Sequence, residues 1–218
     1  MIMLYNDIEK ELMASAIQVN MRTSSAAVHR GISSIVDSYW NHIDFHGLRI
    51  LDIGPGQCDF LDIVKEKGAI TFGVDFDPAV VKLGEMRGHN MTLCNLREDL
   101  PFKDMTFDGI FCRGSINCYW FAQPDNSLLL QFLDHITKSL RPNGCMWILP
   151  WNKPADNQEN LVDATRATID EWAKQSNVKI EVVSEAQKSK YGLYYTIPVT
   201  EIWTKNCDQR LDKDLRKN

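Results

Sequence analysis

LDIGPGQCDFL, residues 51–61, closes an apolar run on two glycines flanking a proline and then resumes with an apolar helix face. That change of period within a few residues is what a strand running through a tight turn into a helix requires. Gly54 and Gly56 carry no Cβ, so backbone there can approach a ligand closely, and the amides opening the next helix offer donors to a polar group. Glycine alone does not name that group.

LRILDIG (48–54), which leads into this turn, runs Leu and Ile without alternation, as a parallel strand covered on both faces does. DFLDIVKEKG (59–68) has helical spacing and a glycine stop, and AITFGVDF (69–76) is again strand-like, which completes a βαβ unit. PAVVKLGEMRG (78–88) predicts a helix, MTLCNL (91–96) a strand, FDGIFCRGSI (107–116) a longer strand and SLLLQFLDHITKSL (127–140) an amphipathic helix. RPNG (141–144) reads as a turn into a buried strand, CMWILP (145–150).

Upstream, Ile8, Leu12, Ile17 and then Val28, Ile32, Ile35 and Val36 predict two helices, with Thr23 or Ser24 capping the second. Downstream come a helix over about 160–175 and strands near VKIEVV (178–183) and TIPVTEIWTK (196–205). Strands alternating with helices predict an α/β fold, a doubly wound, mostly parallel, Rossmann-like sheet preceded by N-terminal helices.

The length of 218 residues suits a single α/β domain with a sizeable core, and 44% hydrophobic with 24% charged residues give no reason to invoke disorder. A formal net charge of −5 argues against a phosphate backbone as partner, because nonspecific nucleic-acid binding rests on Lys and Arg. Cys58, Cys94, Cys112, Cys118, Cys145 and Cys207 form no CxxC pair, so reduced thiols and a cytoplasmic location are expected. The opening MIMLYNDIEKELM carries acids and lacks a long apolar run, so neither a signal peptide nor a membrane anchor is expected.

In such sheets ligands lie outside the carboxyl ends of the strands. Asp75, closing the second strand in GVDFD about twenty residues beyond the glycines, stands where an acid accepts hydrogen bonds from ribose hydroxyls. A nucleoside is implied. A dinucleotide fingerprint needs a third glycine three residues after Gly56, where this chain has Asp59, an anion beside the expected pyrophosphate.

LDIGPGQCDFL, GVDFDP, NLREDLPFKDMTFDGIFC and LRPNG, in this order and at these distances, resemble the four markers of class I S-adenosylmethionine (SAM)-dependent methyltransferases, in particular the small domains with an LPF…FD segment before the fourth strand. The resemblance covers about 48–150. It implies SAM as cofactor, with Asp52, Gly54, Pro55 and Gly56 holding its amino-acid end, Asp75 both ribose hydroxyls and Phe76 covering adenine. It also implies Asn95 and Leu96 at the adenine edge, and Arg113 and Gly114 near the donor methyl. Two positions depart from the pattern: Cys58 stands where glycine is usual, and Asn95 where aspartate is usual.

The domain expectation is then one methyltransferase domain over 1–218: a helical cap (1–47), a cofactor-binding core (48–150), a substrate-side part (151–205) and a charged tail (206–218). Asp77 is expected to cap the helix at Pro78, Asp108 to be structural, and His135 to be surface or core. Asn117, Tyr119, Trp120, Trp151 and Asn152 are candidates for the acceptor pocket, since aromatics with a few polar groups suit a small organic molecule. His29 is the candidate base and Arg113 a second candidate catalytic group, while YGLYY (191–195) is a candidate lid segment.

A hydroxyl acceptor needs such a base, whereas an amine or thiolate needs orientation and desolvation. RGSI follows the fourth strand in place of the [DN]PP[YF] segment that exocyclic-amine methyltransferases of nucleic acids resemble one another in, and no metal is expected. The reading is methyl transfer to a small-molecule or sugar-containing acceptor, on oxygen, without nucleic acid or membrane as partner. A nicotinamide-dependent oxidoreductase and a non-catalytic SAM-binding subunit are the two alternatives.

Overall fold

The computed structural model describes residues 5–17, 26–96, 98, 100–102, 107–113, 115, 127–149, 170–176, 178–184 and 200–205. The chain divides into two compact units, Met1–Glu98 and Asp99–Asn218.

In the first unit, α1 (Asp7–Ala14) and α2 (Ala26–Tyr39) precede β1 (Arg49–Ile53), α3 (Asp59–Glu66), β2 (Ile70–Asp75), α4 (Pro78–Met86) and β3 (Asn90–Leu93). The strands are parallel in the order β3-β2-β1, with Asp52 opposite Gly73 and Asp75 opposite Leu93. Ile50, Leu51, Ile53 and Val74 are buried, as expected for strands covered on both faces. α3 stops at Gly68 and α4 at Gly88, both with positive φ, as the sequence predicts.

α1 starts with a capping box: Asn6 Oδ1 accepts from Glu9 N at 2.9 Å, and Glu9 Oε2 accepts from Asn6 N at 2.8 Å. Its apolar face, with Met13 at the centre, packs on Ala79, Val80 and Leu83 of α4. α4 is capped as expected, Asp77 Oδ1 accepting from Ala79 N, and the second oxygen of Asp77 accepts from Ile17 N at 2.7 Å. Gly73 and Gly84 make room for the Met91 thioether between β2, α4 and β3; a Cβ on Gly73 would stand 2.6 Å from its sulfur.

The second unit contains β4 (Phe107–Arg113), α5 (Ser127–Ser139), β5 (Leu140–Leu149), a helical segment at 170–175, β6 (Val178–Ser184) and β7 (Thr200–Lys205). β4 and β5 are parallel, and β7 runs antiparallel to both β5 and β6. α5 buries Leu129, Phe132, Leu133 and Ile136, and Trp172 Nε1 donates to Asp134 at 2.8 Å.

The RPNG turn expectation is corrected in part. β5 begins at Leu140, directly after α5, and the pairing jumps from Phe107↔Leu140 to Gly109↔Cys145, so 141–144 form an irregularity within the strand. Asp108 is buried and pairs with the Arg141 guanidinium, which supports its structural reading.

Candidate functional site

The predicted strand-to-helix turn lies at the carboxyl end of β1. Gly54 (φ 70°) and Gly56 (φ 53°) are left-handed, conformations that cost a residue with a Cβ about 1–2 kcal/mol. Gly54 N donates to Val74 O at 2.9 Å, Cys58 N to Pro55 O at 2.8 Å, and Asp62 N to Cys58 O at 2.9 Å, so the turn is tied to β2, closed on itself and continued into α3.

Cys58 is also left-handed, at φ 61°, the sole such non-glycine among the described residues. That explains in physical terms why glycine is the usual residue there. Its thiol is buried and held well above the usual thiol range, first by desolvation and then by the field of Asp62, opposed by Arg87, with smaller contributions from Asp52 and Asp75.

Asp75 sits beside this turn at the end of β2. Its Oδ1 accepts from Asp77 N at 2.9 Å, and the Gly56 and Phe76 amides also donate to the carboxylate. Burial outweighs these donors and pushes its pKa up to about 6. Phe76, next in the chain, is 48% exposed, an apolar surface adjoining a fixed acid. Asp52 is buried in β1, Pro55 is buried in the turn, Asn95 is exposed after β3, and Leu96 is partly buried.

His29 lies on α2. It is partly buried, and its Nδ1 stands 2.9 Å from Asp59 Oδ1, at the first position of α3. With Nδ1–H donating to the carboxylate, Nε2 carries the ring's lone pair. Asp59 is raised by burial, which its bond to His29 opposes. Arg113 ends β4 and is exposed. Gly114, Asn117, Tyr119, Trp120, Trp151, Asn152 and the YGLYY segment lie outside the described residues, as do Thr23 and Ser24.

A buried ionic cluster beneath the turn was missed by sequence reasoning. Arg87 Nε donates to Glu9 Oε1 at 2.7 Å, while its Nη1 donates to Asp62 Oδ2 and to the Gln57 carbonyl, each at 2.8 Å. His89 Nε2 lies 3.0 Å from Asp62 Oδ1, and its Nδ1 lies 2.9 Å from Thr71 Oγ1. Among the described residues no group of His, Cys, Asp and Glu has the arrangement of a metal site, and no helix is long and apolar enough to cross a membrane.

Residues 51–148 match the family described as methyltransferase domain. The chain is 26% identical over 160 residues to the phthiotriol/phenolphthiotriol dimycocerosates methyltransferase 1 of Mycobacterium ulcerans, covering 69% of this chain and 54% of that protein. It is 24% identical over 127 residues to the 18S rRNA (guanine-N(7))-methyltransferase of Schizosaccharomyces pombe, covering 54% of this chain and 46% of that one. The chain thus spans about half the length of the curated relatives it matches. The magnesium protoporphyrin IX methyltransferase of Synechocystis with bound SAM shares the fold at a TM-score of 0.58 and 13% identity, over 91% of this chain and 90% of that one.

Residues 51–148 thus carry a methyltransferase domain, and the chain has the doubly wound Rossmann-like fold of the class I SAM-dependent methyltransferases of known structure. SAM is the cofactor of this class. The residues present fit it: a buried carboxylate oriented by backbone donors can accept from ribose hydroxyls, the exposed Phe76 ring offers a face to a purine, and the bare backbone at Gly54 and Gly56 permits close approach.

Proposed function

We propose that the chain transfers a methyl group from SAM to a hydroxyl of a small-molecule or sugar-containing acceptor. The buried Asp75 carboxylate, hydrogen-bonded by the Gly56 amide of the turn, carries the cofactor half of the reading. In it, Asp52, Gly54, Pro55 and Gly56 hold the amino-acid end, Asp75 the ribose, and Phe76, Asn95 and Leu96 surround adenine. On the sequence alone, Arg113 and Gly114 are proposed for the donor-methyl end, and Asn117, Tyr119, Trp120, Trp151 and Asn152 for the acceptor.

The His29–Asp59 pair supports oxygen as the acceptor atom. When bound, SAM supplies a methyl already activated on a sulfonium, so the protein's work is alignment and proton removal. A hydroxyl must shed its proton as it attacks, and Asp59 holds the His29 ring in the tautomer whose Nε2 accepts that proton. The net charge of −5 favours a small acceptor over a nucleic-acid backbone. Six cysteines without a CxxC pair support a reducing, cytoplasmic setting. One domain spanning 1–218, with its helical cap, completes the reading.

Transfer of labelled methyl from SAM to a panel of hydroxylated, amine and thiol small molecules, with RNA alongside, tests the proposal. Label on a hydroxylated compound supports it. Label on RNA alone, or on amines alone, overturns the acceptor assignment.

A further inference from the structure

We propose that Arg87 is a positioning residue for the SAM-binding turn, holding its peptide plane through the Gln57 carbonyl; this rests on the reading of the 54–58 turn as the cofactor site. Arg87 follows α4 and is 30 residues from Gln57 in sequence, yet its guanidinium is buried beneath the turn, with a side chain 5% exposed. Nη1 reaches both the Gln57 carbonyl and Asp62 of α3, Nε reaches Glu9 of α1, and the guanidinium carbon lies 5.7 Å from the Tyr5 ring centroid. Asp62 is steadied in turn by His89, and His89 by Thr71 of β2.

Gln57 is flanked by Gly56 and Cys58, both left-handed. A peptide is planar, so fixing the Gln57 carbonyl also fixes the direction of the Cys58 N–H and limits how the turn can swing. The turn is therefore held on either side of the Gly56–Gln57 peptide, by Asp75 at the Gly56 amide and by Arg87 at the Gln57 carbonyl. A charge this deeply buried is costly to desolvate, and its partners come from α1, α3 and the turn together. Lysine at this position keeps the charge but lacks the planar fork that serves three acceptors in fixed directions.

The test compares wild type, Arg87→Met, Arg87→Lys and Glu9→Gln for binding of S-adenosylhomocysteine by calorimetry, thermal midpoint, and amide exchange of peptides containing 54–58. Arg87→Met is expected to bind about tenfold or more weakly, with Arg87→Lys in between and exchange accelerated at the turn ahead of the β1 and β2 amides. Glu9→Gln loosens α1 but leaves both Nη1 bonds, so it lowers the midpoint and keeps affinity within about twofold.

Unchanged affinity in both folded Arg87 variants overturns the proposal while leaving the cofactor site intact. Equal weakening by Glu9→Gln, or exchange raised uniformly across the unit, also overturns it, because the effect is then general loosening. If Arg87→Met does not fold, Arg87→Lys and Glu9→Gln decide by the same comparison. No binding by folded wild type overturns the cofactor-site reading itself, and the positioning role with it.

Discussion

His29 Nδ1 and Asp59 Oδ1 stand 2.9 Å apart, which joins α2 to the first residue of the helix that leaves the glycine turn. If this pair deprotonates the acceptor, His29→Asn should lower kcat by about a hundredfold with little change in SAM affinity, an effect of the size of lost general-base catalysis. Asp59→Asn should cost less, since it removes the orienting group and keeps the ring. Steady-state kinetics on the acceptor found by the methyl-transfer panel separate the two, and wild-type kcat in His29→Asn would remove the base assignment.

Asp75 predicts a pH dependence of cofactor binding. Its carboxyl is pushed up to about 6 by burial, and the ionised form, with two charged oxygens and no O–H of its own, is the stronger acceptor for two hydroxyls. S-adenosylhomocysteine affinity should therefore fall as pH drops through about 6, approaching tenfold per unit below it. Asp75→Asn should bind weakly and without that dependence.

The same shift has the opposite sign for folding. The native state binds the Asp75 proton more tightly than the unfolded chain does, so this group's contribution lowers stability as pH rises from its ordinary value of 3.8 to about 6. Denaturant unfolding of wild type and Asp75→Asn across that window should show the difference narrowing toward the acid end.

Cys58 gives a stability test that inverts the usual size rule. Alanine at 58 keeps the left-handed strain of φ 61°, whereas glycine relieves it. Cys58→Gly should be more stable than Cys58→Ala by about 1 kcal/mol, although it removes more buried carbon. Chemical denaturation of the pair decides it.

The Met91 packing predicts a repairable defect. A Cβ on Gly73 would stand 2.6 Å from the Met91 sulfur and 3.2 Å from a Leu61 methyl. Gly73→Ala should destabilise by about 1–3 kcal/mol, as overpacking does, and Gly73→Ala with Met91→Ala should recover part of the loss relative to Met91→Ala alone. Purely additive costs would contradict the contact.

The order of elements from β1 to α5 was legible because each change of period is marked by glycine, proline or aspartate at its boundary. Gly54 and Gly56 announce the turn, Gly68 and Gly88 end two helices, and Asp77-Pro78 opens one. Asp75 was legible because its distance from the turn is set by the length of a βαβ unit. The irregularity at 141–144 was not, because RPNG has turn chemistry and strand pairing across it depends on β4.

Arg87 was not legible either. Glu9 and Arg87 are 78 residues apart, and each looks like an ordinary charge on a helix or just beyond it. Likewise, His29 and Asp59 each stood out for a separate reason in the sequence. Only packing of α2 on α3 brings them together.

Asp75, beside the Gly54–Gly56 backbone, is the residue proposed to hold the ribose of SAM. Calorimetric titration of folded wild type and Asp75→Ala with S-adenosylhomocysteine tests it most directly. The prediction is saturable binding to wild type and a loss of about 1–3 kcal/mol in the variant. Equal affinity in the two proteins, or no binding to wild type, would contradict it.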